Sequence, residues 1–227
     1  MNYLVVVAHP DDEVLGAGAT IHKLTSCGHT VDVCIMSALA KARAFRPSDN
    51  ELEEDLCKSM DMLGIRNRYK GCFPNIEINT VPHIQLVQFI EKAILQSKPD
   101  IVITHHANDT NNDHLHTSMA CQEAIRLFQR RPEVNPLKEL WYMESLSSTD
   151  WAVNTGMNKF NPNTYVEVGL DGVNMKIKAL AQYRGVMRPY PHPRSAENLK
   201  SLATIRGGES GCMYAEAFEC ALRRITE

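Results

Sequence analysis

The apolar pattern of the chain changes period repeatedly, and each change marks an element. Residues 3–8 are apolar with no polar alternation, the pattern of a strand buried on both faces of a parallel sheet, and Pro10 stops it. Residues 14–27 read as a helix closed by Gly28, and residues 30–36 as a second strand that a right-handed crossover sets parallel to the first. A helix over 51–63, capped by Ser48 or Asp49 and closed by Gly64, leads to a short strand over 68–73. The long helix predicted at 80–97 places Ile84, Val87, Ile90, Ile94 and Leu95 at sheet-packing intervals. Pro99 ends it, the strand 100–104 follows, and a helix over 114–129 comes next. Strands at 140–143 and 165–168 and helices at 175–183 and 195–206 complete the pattern, with Gly207 and Gly208 closing the last helix ahead of a tail. This order predicts an α/β fold: a Rossmann-like three-layer α/β/α sandwich around a mostly parallel sheet.

Composition narrows the class. The 227 residues suit a single domain over 1–227, and 44% hydrophobic with 22% charged residues is ordinary for a globular chain. A net charge of −3 argues against a nucleic-acid partner. There is no apolar run long enough to span a membrane, and the chain enters a core strand within three residues, so a cytoplasmic protein is expected. Seven cysteines without C-x-x-C spacing read as reduced thiols, several of them buried.

The chemistry concentrates at two strand ends. The first strand runs into His9-Pro10-Asp11-Asp12-Glu13, where three carboxylates and an imidazole repel one another unless a cation, hydrogen bonds or protonation relieves the charge. His9 and Asp12 lie three apart across a turn and offer one nitrogen and one oxygen, as zinc accepts. A plain acidic turn with Asp11 or Asp12 as helix cap is the simpler alternative. A second cluster, from His105 to His116, follows the strand at 100–104 and offers a third ligand. His114, on the helix, is the choice, and His105 and His106 compete with it. Gly16 and Gly18 do not complete a dinucleotide fingerprint; small residues there let the helix approach the sheet.

His9-Pro-Asp-Asp-Glu13 resembles the first signature of the LmbE-like, or PIG-L-like, zinc-dependent N-deacetylases, and Asn111-x-Asp113-His114 resembles their second. Phe73-Pro74-Asn75, Trp141 to Ser145, His192 to Ser195 and Tyr214 to Phe218 are similar to landmarks of a bacterial branch. The resemblance implies hydrolysis of an acetamide on a small N-acetylglucosamine-type conjugate, with zinc on His9, Asp12 and His114 and Asp11 as general base. Iron(II) is an alternative metal. It also implies a homo-oligomer, and residues 185–193, rich in proline and arginine, suit a lid or a subunit contact. Where branches of the family carry a charged histidine, this chain has Asn111, so His192 is expected to replace it, helped by Arg194. Arg46 and Asn75 are the expected contacts to substrate hydroxyl or anionic groups. The rival readings are another metal-dependent amide hydrolase or deacylase, and a non-catalytic metal-containing carbohydrate-binding protein.

Overall fold

The computed structural model describes residues 1–39, 47–153 and 159–225. A seven-stranded sheet runs in the order β3-β2-β1-β4-β5-β7-β6. Its strands are β1 (Asn2–Val7), β2 (Thr30–Ile35), β3 (Arg68–Lys70), β4 (Ile101–His105), β5 (Glu139–Met143), β6 (Thr164–Glu167) and β7 (Ala215–Arg223). The first five are mutually parallel, and only β7 runs against its neighbours β5 and β6.

The side-chain period of two divides β1 between two cores. Tyr3, Val5 and Val7 face one core with α1 (Asp12–Ser26), α2 (Asp49–Leu63) and α5 (Gly169–Leu180), whereas Leu4, Val6 and Ala8 face the other with α3 (His83–Ser97) and α4 (Asn112–Ala124). Three layers result, as the alternating pattern predicts. The chain moves outward from β1 through β2 to β3 and then returns to β4 on the opposite side of β1, so the strand order reverses between β1 and β4. A crevice opens at the carboxyl ends of strands at such a reversal.

Local chemistry sets the ends. Ser48 and Glu51 form a reciprocal capping box at the start of α2, and Gly64 closes that helix in the left-handed region at φ 73°. The close approach expected of Gly16 is real: a Cβ there would lie 2.2 Å from Met143 Sδ. Helix α1 is clamped from two other elements. Lys176 on α5 donates to the carbonyl of Leu15 at 2.7 Å, while Glu216 on β7 accepts the amides of Ala19 and Thr20 and pairs with Lys176 at 2.6 Å. An ion pair has thus entered the helix's own hydrogen-bond ladder.

Several boundaries differ from the pattern. The helix expected at 80–97 is a 3-10 turn at Ile78–Thr80 followed by α3, because Pro82 takes the cap position. The helix expected at 114–129 begins earlier, capped by Asn111, and tightens to a 3-10 turn at Ile125–Gln129. The helix expected at 175–183 is α5, which starts earlier, at Gly169, and ends at Leu180. The largest correction is at the end of the chain. Gly207 and Gly208 lie inside α6 (Ala196–Ser210), Gly211 ends that helix at φ 80°, and the expected tail is the sheet strand β7. Gly207 is small for packing rather than for termination, since its Cβ would stand 2.7 Å from the backbone of Cys212 and Met213. Among the cysteines only Cys34 and Cys121 are buried, and all seven are free thiols.

The Gly207→Ala variant is expected to lose about 1–3 kcal/mol by overpacking against backbone that cannot swing away. Thermal unfolding should register this as a fall of about 2–4 °C per kcal/mol, and an unchanged midpoint would contradict the assignment.

Candidate active site

The loops after β1 and β4 meet at the strand-order reversal, and both sequence clusters lie on them. Residue 11 is the N-cap of α1, but in a left-handed conformation at φ 99°, and its carboxylate caps no helix amide. A non-glycine residue held there stores strain, which is concentrated at functional sites. The next residue, Asp12, is the hub. Its Oδ2 accepts the amide of His9 at 2.9 Å and lies 3.4 Å from His9 Nδ1, 3.2 Å from His114 Nε2 and 3.5 Å from His105 Nε2. The structure therefore brings His9, Asp12 and His114 together, with one potential ligand atom from each within 4.8 Å of the others.

Each of the two histidines is turned by a carboxylate on its far nitrogen. His9 Nε2 meets Asp113 Oδ2 at 2.8 Å, so Nδ1 is the nitrogen left facing Asp12. His114 Nδ1 meets Asp109 Oδ1 at 3.2 Å, which leaves Nε2 on the Asp12 side. Carboxylate partners of this kind fix tautomer and ring orientation in metal-ligating histidines. Asp113 is itself fixed by the amides of Ile76 at 2.6 Å and Ile78 at 3.0 Å. Ile76 provides that amide from a left-handed backbone at φ 64°, an outlier for a β-branched side chain.

The electrostatics follow. Burial alone would lower the His114 imidazole, yet the Asp12 and Asp109 carboxylates on either side raise it to about 10. Burial likewise opposes ionisation of Asp12 and Asp109, but the neighbouring imidazoles hold Asp12 well below the carboxylate range and Asp109 at about 2. The centre of this cluster favours positive charge. Glu13 is different: burial pushes it up to about 8, against a 2.5 Å hydrogen bond from Tyr183.

The competing histidines are also placed. His105 accepts the amide of Ala8 at 2.9 Å through Nε2 and stacks on His114 with ring centroids 3.8 Å apart; burial, reinforced by His114, lowers it to about 3. It is a neutral brace between the ends of β1 and β4. His105, Asp109 and His114 do form a second group with ligand atoms within 4.8 Å, although Asp109 and His114 already pair with each other. His106 points away, 3.3 Å from Glu219 and edge-on to Tyr142 and Phe160.

The remaining expectations separate. Arg194 reaches the site, with Nη1 3.7 Å from Asp11 Oδ2 and Nε donating to Ser147 Oγ at 2.8 Å. His192 is exposed, its Nδ1 accepts the amide of Arg194, and burial with the charges of Arg194 and Arg188 lowers its pKa. Asn111 spends its side-chain oxygen capping α4 through the amide of Asp113, at 2.9 Å. Asn75 is half-buried, directly before Ile76. Arg46 lies outside the described residues. The sequence places Asp109 and Asp113 in the second cluster and Ser148 and Thr149 in a polar loop, but it assigns none of the four a role. A carboxylate beside or five residues before a candidate histidine ligand was the available signal.

Asp109 carries a pH prediction. Its pKa falls from 3.8 to about 2 on folding, so its ionised form stabilises the fold above pH ~4, and that contribution is lost as pH drops through about 2. In metal-stripped protein, Asp109→Asn should cost about 1–3 kcal/mol at pH 7 in urea unfolding. The cost should shrink when the same measurement is made near pH 3, and a pH-independent cost would contradict the assignment.

Several solved structures share the fold. The conserved protein TT1542 from Thermus thermophilus superposes with a TM-score of 0.78 at 21% identity, covering 100% of this chain and 97% of that one. N,N'-diacetylchitobiose deacetylase from Pyrococcus horikoshii gives 0.75 at 21% identity, covering 96% and 82%. The 4-carboxy-2-hydroxymuconate hydratase from Pseudomonas putida gives 0.80 at 18% identity, covering 100% and 99%. Residues 4–125, more than half of the chain and inclusive of both clusters, match the family described as PIG-L, GlcNAc-PI de-N-acetylase, and the chain belongs to that family.

Proposed function

We propose that the chain is a metal-dependent N-deacetylase acting on a small N-acetylglucosamine-type conjugate. The observation that carries this reading is the convergence of His9, Asp12 and His114 beside the strained Asp11. Family membership supports the reaction class, as does the likeness of fold to a diacetylchitobiose deacetylase. A hydratase shares the fold as well, so the site must decide the reaction.

Two imidazole nitrogens and one carboxylate are the donor set of a catalytic zinc site with an open position. The fit rests on the two far nitrogens being engaged already by Asp113 and Asp109, and on a cluster that favours positive charge. His9 through Nδ1, Asp12, and His114 through Nε2 would hold zinc, and iron(II) suits the same donors. When bound, the metal supplies a Lewis acid for the acetyl carbonyl and lowers the pKa of water.

Asp11 is the general base. It takes a proton from the attacking water and returns it to the departing amine. Arg194 is a permanent cation on the Asp11 side of the site and steadies the developing oxyanion. We assign that role to Arg194 rather than to His192, because burial and the charges of Arg194 and Arg188 disfavour an imidazolium at His192. Asn111 keeps its amide N–H groups for the substrate because its oxygen is committed to the cap. Asn75 and Arg46 complete the proposed substrate contacts.

Metal-stripped and zinc-restored protein, assayed side by side for amine release from N-acetylglucosamine conjugates, test the reading. Release is expected only with zinc restored. Asp11→Asn should lower turnover by about 10²–10⁴-fold while zinc content stays the same. No release from any conjugate by fully zinc-loaded protein would overturn it.

A further inference from the structure

The turn after β5 carries three consecutive hydroxyl groups, and two of them, on Ser148 and Thr149, reach Asp109. Thr149 Oγ1 accepts the amide of Ser145 at 2.9 Å, which leaves its own proton for Asp109 Oδ2 at 2.7 Å. Ser148 Oγ donates to the same carboxylate oxygen at 3.0 Å and stands 3.4 Å from His114 Nδ1. The amide of Asn111 fills the other oxygen at 2.8 Å, next to His114 Nδ1. Asp109 is therefore held by four donors, two on each oxygen, which fixes its orientation. Ser147 faces the other way. Its backbone is left-handed at φ 72°, and its hydroxyl accepts from Arg194.

We infer that Ser148 and Thr149 are positioning residues for the metal site: they fix Asp109, and Asp109 in turn aims His114 Nε2. This rests on the metal-dependent reading above, and it assigns a function to a turn that lies 34 or more residues from the histidine in sequence. The physical argument is one of orientation. A carboxylate held only by the histidine and one amide could rotate about its side chain. Two hydroxyls from a rigid turn remove that freedom, and the imidazole plane is set with it. The neighbouring hydroxyl of Ser147 supplies an internal control, because it belongs to the same turn but is not on the path to His114.

Zinc affinity, measured on the full-length metal-stripped protein by competition with a chromogenic chelator, tests this without any substrate. Thr149→Val keeps the shape and removes the donor, and Ser148→Ala removes the other. Each should weaken zinc binding by about 10–100-fold, the range found for outer partners of metal ligands. Thr149→Ser, which keeps a hydroxyl, should restore affinity, and Ser147→Ala should leave it unchanged. Wild-type affinity in both Thr149→Val and Ser148→Ala would overturn the inference. So would an equal loss in Ser147→Ala, which would make the turn a general staple. If the wild-type chain itself takes up no zinc, the deacetylase reading fails too, so the two failures are distinguishable.

Discussion

Three aspartates and three histidines with ionisable atoms a few ångströms apart are buried at the ends of β1 and β4, and their charge must be balanced there. An isolated buried carboxylate is costly enough that it protonates or finds a partner. Here the balance is achieved by alternation. Asp113 faces His9, His9 faces Asp12, Asp12 faces His114, and His114 faces Asp109. The two outer carboxylates are finished with backbone amides and hydroxyls, whereas the inner one has imidazole nitrogens on several sides. The outer members are consequently fixed, and the inner atoms are the ones able to gather around a cation.

The rest of the fold serves that row of charges. Hydrophobic strands buried on both faces bring the two loops to one place, and the reversal of strand order opens the crevice between them. Helix α1, which begins in the site with Asp12, is anchored further along its length by the Lys176–Glu216 pair and by close contact at Gly16. A buried ion pair is weak evidence of net stability. Its geometric consequence is firmer: two elements from the last third of the chain fix the helix that carries the first cluster. Left-handed residues 11, 76 and 147 each lie beside the site, where packing elsewhere in the molecule sustains their strain.

Much of this was legible in the sequence because it depends on local pattern. Uninterrupted apolar runs gave the parallel strands, and His9, Asp12 and His114 stood out by residue type at strand and helix ends. What escaped depends on distance in space. Strand β7 hides behind two glycines that read as a stop, and only its neighbour's backbone reveals why Gly207 must be small. Asp109 and Thr149 are unremarkable letters until β4 and β5 pair and set their loops side by side. The sequence offers His192 as a replacement for a missing charge, but it does not show that arginines surround His192 or that Arg194 comes within 3.7 Å of Asp11.

The most direct measurement is the anomalous-scattering position of zinc in crystals of the metal-loaded protein. The account predicts one ion at about 2.0–2.2 Å from His9 Nδ1, His114 Nε2 and an Asp12 oxygen. An ion bound instead to the His105, Asp109 and His114 Nδ1 group, or to His9 through Nε2, would contradict it, because the outer carboxylates could not then be what aims the two histidines.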